Sequence, residues 1–157
     1  MDEQTFKART KDFGLAVIQL VETLPRTRSA DIICRQLLRS ATSVGANYRS
    51  ACRGRSGSDV IAKLGIVEEE ADELIYWLEI LEGAKLATGD KLSALSKEAN
   101  EIVAMTVASI KTLRKRERGD QRSIHNLGSK IQNSMIVRKR ELGDHRLIQN
   151  PKSKIQN

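Results

Sequence analysis

The sequence predicts an all-α protein, an antiparallel up-down four-helix bundle followed by a basic C-terminal extension. Three observations carry that prediction. Apolar residues recur at three- and four-residue steps, the helical period, with no long alternating runs. Ala, Leu, Ile, Glu, Lys and Arg dominate, and most of these are good helix formers. Only two prolines, Pro25 and Pro151, interrupt 157 residues, so most of the chain is free of the strongest helix breaker. A hydrophobic content of 39% suffices for a core, although aromatic residues are only 3%.

The first helix is expected from Phe6 to about Leu24, with Phe6, Phe13, Val17, Leu20, Val21 and Leu24 on its apolar side. Leu24-Pro25 ends it, because the residue before proline is pushed out of α geometry. Ser29 is a suitable cap for helix two, which extends to about Cys52. The Gly54-Arg55-Ser56-Gly57-Ser58 stretch reads as a break, and Ser58 with Asp59 suits the start of helix three. Helix three then runs from Asp59 to about Leu81. The segment from Gly83 to Gly89 connects it to helix four, expected from near Asp90 to roughly Arg116. Short connections make consecutive helices antiparallel neighbours.

Composition changes beyond Leu113, which divides the chain into a bundle domain at 1–113 and a tail at 114–157. Residues 114–133 return 24 positions later as 138–157, with 14 of 20 positions identical. Two near-copies are too few and too polar for a solenoid, so the tail is expected to be disordered or irregular. A nucleic-acid-binding arm is the sharper alternative, weakened by the lack of any aromatic residue for base stacking. Charge follows the same division. Residues 1–113 hold 15 Lys and Arg against 16 Asp and Glu, a net of −1. Residues 114–157 hold 12 against 4, a net of +8, so the basic excess lies in the tail.

Several functions are excluded or made improbable by what the residues lack. No apolar run approaches the roughly 18–20 residues of a membrane span, and the polar start lacks a signal-peptide core. Cys34 and Cys52 stand 18 positions apart in one predicted helix, about 27 Å at helical rise, beyond disulfide reach. Both read as small core or interface residues of a cytoplasmic protein. The bundle holds no histidine, since His125 and His145 are both in the tail; no Cys–His or Ser–His pair can form inside the fold. The acidic run Glu68-Glu69-Glu70-Ala71-Asp72-Glu73 lacks the Glu-x-x-His pairs of a di-iron bundle. The glycine-containing turn lacks the lysine of a phosphate-binding loop. No catalytic residue, cofactor, metal or small-molecule substrate is expected.

Helix two is the most informative segment. At 100° per residue, Ile33, Leu37, Val44, Tyr48 and Ala51 fall on one side. Arg35, Arg39, Arg49 and Arg53 fall on the other, within roughly 80° of each other, around a saddle of Thr42 and Ala46. Residues 26–55 carry seven Arg and one Asp, a net of +6. Helix three complements it: residues 59–82 carry a net of −7. Its core side is Val60, Leu64, Val67, Ala71, Leu74, Ile75 and Leu78. A second side carries Ile66, Trp77 and Ile80 interleaved with Glu69, Glu70 and Glu73. Apolar residues on two sides of one bundle helix point to a partner surface, and Trp and Arg favour interface cores.

The run from Gln36 to Arg49 (QLLRSATSVGANYR) resembles the helix-two motif of the four-helix proteins encoded in 23S rRNA intervening sequences. The Gly54-Arg55-Ser56 turn, the segment from Lys63 to Glu73 (KLGIVEEEADE) and Tyr76-Trp77-Leu78 continue the likeness over roughly residues 5–113. The resemblance implies an antiparallel bundle assembling as a homopentameric barrel. The family is similar to the accessory protein of diversity-generating retroelements, a pentamer that binds nucleic acid and a reverse transcriptase. By that likeness Arg39, Asn47, Arg49 and Arg53, with Arg35 and Arg55 beside them, are candidates for a nucleic-acid or interface surface. Ile66, Glu69, Glu70, Glu73, Trp77 and Ile80 are candidates for a subunit interface.

Two functional readings follow. In the first, the protein is a non-enzymatic homo-oligomer that contacts RNA or an RNA-bound partner. In the second, it is a structural or protein-interaction module whose arginine stripe is satisfied by Glu69, Glu70 and Glu73 of a neighbouring helix or subunit. Arginines within about 4 Å of carboxylates favour the second; an exposed basic rim favours the first.

Overall fold

A computed structural model describes residues 2–144, apart from the side chains of 124, 125, 131 and 134–144. Among the described residues there are four helices and no strand: α1 (Glu3–Val21), α2 (Arg28–Ala51), α3 (Gly57–Gly83) and α4 (Asp90–Asp144). The chain divides into two compact units, Met1–Lys115 and Arg116–Asn157. The expectations on His145 and on the second repeat copy beyond Asp144 lie outside the described residues, as does the side chain of His125.

The first unit is an antiparallel bundle. Gly14 of α1 lies beside Ala41 of α2, and Gly45 beside Thr10, so the register runs in opposite directions. Arg39 of α2 reaches Glu70 and Glu73 of α3, while Gly54 approaches Val60. Arg9 of α1 pairs with Glu98 and Glu101 of α4. The α1–α2 and α2–α3 contacts follow from connections too short to let the next helix turn away; the α1–α4 contact closes the bundle between helices that are not consecutive.

One continuous core fills the space between them. Phe13, Val17, Leu37, Val44, Leu74 and Ile102 all belong to it, drawn from all four helices. The apolar sides read from the sequence of α2 and α3 are the buried ones, with Tyr48 and Ile75 packed at the margin. A smaller cluster of Ala51, Leu64 and Ile110, with Leu113 against it, closes the end where α2 turns into α3. Buried Thr10 and Thr106 return their hydroxyl protons to the carbonyls of Phe6 (3.0 Å) and Ile102 (2.8 Å) of their own helices, which removes the cost of an unmade bond.

Helix ends differ from the sequence expectation by local chemistry. Thr27, not Ser29, caps α2 by accepting from the Ala30 amide at 3.2 Å. Ser56, not Ser58, caps α3 by accepting from Asp59 at 3.1 Å, and Asp59 reaches back to the Arg55 amide at 3.0 Å. Helix one ends at Val21 rather than Leu24. Helix four does not stop near Arg116 but continues to Asp144. No proline stands in its way before Pro151, and Gly119 and Gly128 cost only about 1 kcal/mol each.

Candidate interaction surface

The arginine stripe and the acidic helix meet on the outer side of the α2–α3 pair. Arg39 Nη1 lies 3.0 Å from Glu70 Oε1, and its Nη2 donates to Glu73. Its Nε donates to Gln36 at 3.2 Å, which holds the guanidinium plane across the groove. Trp77 Nε1 donates to the other oxygen of Glu73 at 3.1 Å. Glu73 is therefore held from two helices at once. Arg39, then the Trp77 N–H, keeps its carboxyl below the ordinary value, and Glu73 in turn raises the Arg39 guanidinium. Opposite charges and donors favour the ionised forms of both partners.

The structure disperses the remaining candidates. Arg35 pairs with Asp31 along its own helix at 2.6 Å. Asn47 turns its amide back onto the Ser43 carbonyl at 3.0 Å, so its donor faces its own helix rather than an open surface. Among the described residues no carboxylate lies within 4.0 Å of the guanidinium groups of Arg49, Arg53 or Arg55. Arg53 and Arg55 line an open cleft at the α2–α3 turn with Ser50, Asp59 and Lys63.

The second side of α3 is uneven. Ile66 is 41% exposed, and Glu69 is exposed with no cation within 4.0 Å among the described residues. Trp77 and Ile80, by contrast, are half-buried and packed against the core of their own subunit. Tyr76, part of the motif that carries the family likeness but not among the interface candidates, is 53% exposed and meets Trp77 edge-on with ring centroids 5.0 Å apart. Its neighbour Trp77 is a candidate both by residue type and by sharing a side of the helix with Ile66 and Ile80, and the position of Tyr76 on the outer side is readable from the same 100° step.

A second feature escaped the sequence altogether. Arg9 of α1 holds Glu98 and Glu101 of α4, with Nη2 to Glu98 at 2.8 Å and Nη1 near the Met105 sulfur at 3.1 Å. Hydrogen bonds donated to Glu98, then to Glu101, push the pKa of the guanidinium further up. Beside this knot runs a groove of about 950 Å³ between α1 and α4, floored by Phe13, Leu20 and Leu95. Glu98 and Glu101 share a side of α4, but a partner 89 positions away leaves no local signal.

The sequence profile described as the 23S rRNA-intervening sequence protein matches residues 3–108. The chain belongs to this family. The match covers all of α1, α2 and α3 and most of the bundle part of α4, which places the Arg39–Glu73–Trp77 network inside the family region. No curated protein matches the chain. The chain is similar to a crystal structure of a protein of unknown function from the S23 ribosomal protein family of Bacteroides thetaiotaomicron VPI-5482, at 32% identity and a TM-score of 0.65. That alignment covers 71% of this chain and 99% of the other. The family match lies within the bundle unit, Met1–Lys115.

Among the described residues no group of three or more His, Cys, Asp or Glu is arranged to hold a metal ion. Cys34 and Cys52 are free and half-buried, and burial raises the Cys34 thiol. No helix among the described residues is long and apolar enough to cross a membrane.

Proposed function

We propose that this family member is a non-enzymatic, cytoplasmic structural module that assembles with copies of itself and presents the outer α2–α3 side to another protein surface. One observation carries the reading: Arg39, Glu70, Glu73 and Trp77 are tied into one network across two helices. A stripe whose central guanidinium is spent on carboxylates of the same chain is not an open basic rim. It is an ordered ledge on which Ile66 and Tyr76 stand exposed. Aromatic and apolar side chains held in place by charged neighbours resemble the anchors of protein interfaces.

A homopentamer is the number that the likeness to the retroelement accessory protein implies. Light scattering on the full chain tests it, with a mass near five times 17.5 kDa expected. A monomer at micromolar concentration removes the assembly reading. Ile66→Glu and Tyr76→Glu together are expected to shift the mass downward while leaving helical content intact.

The reading with RNA or an RNA-bound partner keeps a narrower footing. Arg49, Arg53 and Arg55 are the arginines of the predicted surface whose guanidinium groups no carboxylate engages among the described residues, and all three lie toward one end of the bundle.

A further inference from the structure

We infer that the end of the bundle where α2 turns into α3 is a docking surface for the phosphate backbone of a nucleic acid. The inference stands on charge placement and does not depend on assembly. Arg53, Arg55, Lys63 and Ser50 converge on a cleft of about 480 Å³ in which Asp59 is the one carboxylate. Asp59 is already engaged, accepting the Arg55 amide at 3.0 Å and lying 3.7 Å from Lys63 Nζ. Arg49 stands one helical turn before Arg53 on the same side of α2, exposed and without a carboxylate within 4.0 Å among the described residues.

The fourth helix adds to the same pole. Ile110 and Leu113 pack in the cluster with Ala51 and Leu64, which brings α4 to this end of the bundle. The exposed Lys111, Arg114 and Lys115 arrive with it. The N-terminal carboxylates nearby are committed: Asp2 caps α1 through the Thr5 amide at 2.9 Å, and Glu3 pairs with Lys7. The bundle is close to neutral as a whole, so this pole reflects segregation rather than excess. Arg49 and Arg53 also offset the negative end of the α2 dipole. Lys63 is shared with Asp59 one turn before it. Arg55 has no such task; its side chain stands just before the positive end of α3, where a cation is unfavourable unless an anion joins it.

The chemistry selects the partner class. Guanidinium groups match phosphate oxygens in fork geometry, and four of the seven cations named are arginines. A membrane surface would call for apolar side chains between the charges. The exposed large hydrophobics of the bundle are Leu15, Ile18, Ile32, Ile66 and Tyr76, none of which lines the cleft.

The test uses the full chain and a fluorescein-labelled single-stranded RNA, read by polarisation. Four phosphate contacts predict a slope of log affinity against log salt of roughly −3. Arg53→Glu with Arg55→Glu is expected to weaken binding at least tenfold and to move the melting midpoint little, since the change is unfavourable at the C-terminal end of α2 and favourable before the N-terminus of α3. Lys85→Glu with Lys91→Glu makes the same charge change at the other end and is expected to weaken it less than twofold. Inorganic phosphate at millimolar concentration should compete weakly, and polyglutamate less well than unlabelled RNA. The inference is overturned if wild type does not bind, if the Lys85/Lys91 pair costs as much, or if polyglutamate competes equally. It is also overturned if Arg118→Glu with Arg122→Glu abolishes binding while the corner pair leaves it intact.

Discussion

Glu73 shows how one side chain decides between two functions for its neighbours. Its two oxygens are taken by Arg39 of α2 and by Trp77 one turn along α3, so the carboxyl is held below its ordinary value. A depressed folded value means that the ionised pair contributes stability above the ordinary carboxylate range. That contribution is lost as pH falls through the lower folded value. The melting midpoint of Glu73→Gln should therefore lie below that of wild type at neutral pH, and the gap should close as pH drops well below 4.5. A gap that persists unchanged at pH 3 would mean that the ion pair is not its source. Gly54 makes a steric counterpart at the next turn. A Cβ there would stand 2.5 Å from Val60 Cγ2 and 3.2 Å from the Val60 amide. Valine is stiff at χ1 and the amide belongs to the backbone, so neither yields cheaply. Gly54→Ala should cost about 1–3 kcal/mol in denaturant unfolding.

The elements were legible where a period of 3.6 residues repeats over several turns, and illegible where single polar residues compete. The buried sides of α2 and α3 follow from spacing, and the division into four helices from spacing together with the breaks at Pro25, residues 54–58 and residues 83–89. The caps do not, because Thr27 and Ser29, or Ser56 and Ser58, are equally able to accept an amide, and only backbone geometry chooses. The end of α3 is the clearest case. The expected end is about Leu81 with Gly83 opening the connection; the helix runs to Gly83, and the left-handed residue that closes it is Lys85, at φ 56°. The Lys85 amide donates to Glu82 and the Leu86 amide to Leu81, at 2.9 and 3.0 Å, closing a Schellman motif with Leu86 packed against the core. Lysine in that region costs about 1 kcal/mol relative to glycine, so Lys85→Gly should raise stability by about that amount. The Arg9–Glu98 knot and the far reach of α4 were equally hidden. The first spans 89 positions; the second needed the absence of any stop to be weighed above a shift in composition.

At the scale of the molecule, the bundle segregates what a neutral composition conceals. The α2–α3 turn gathers cations, the outer side of the α2–α3 pair gathers aromatic and apolar side chains among carboxylates, and the core is closed on itself. These are separate surfaces, so phosphate binding and protein contact need not compete. Trp77 is the single tryptophan of the chain, and it sits half-buried on the proposed contact side, hydrogen-bonded to Glu73 and edge-on to exposed Tyr76. Its fluorescence therefore reports that side alone. If another copy covers it, emission should move to longer wavelength on dilution through the dissociation range, in step with the fall in mass. Ile66→Glu with Tyr76→Glu should show the shifted emission at every concentration. Added RNA should leave the emission unchanged, because the cleft at Arg53 and Arg55 lies along α3 from Trp77 by many residues of helix. An emission that never changes while the mass falls would place the contact elsewhere, with the groove between α1 and α4 as the next surface to examine.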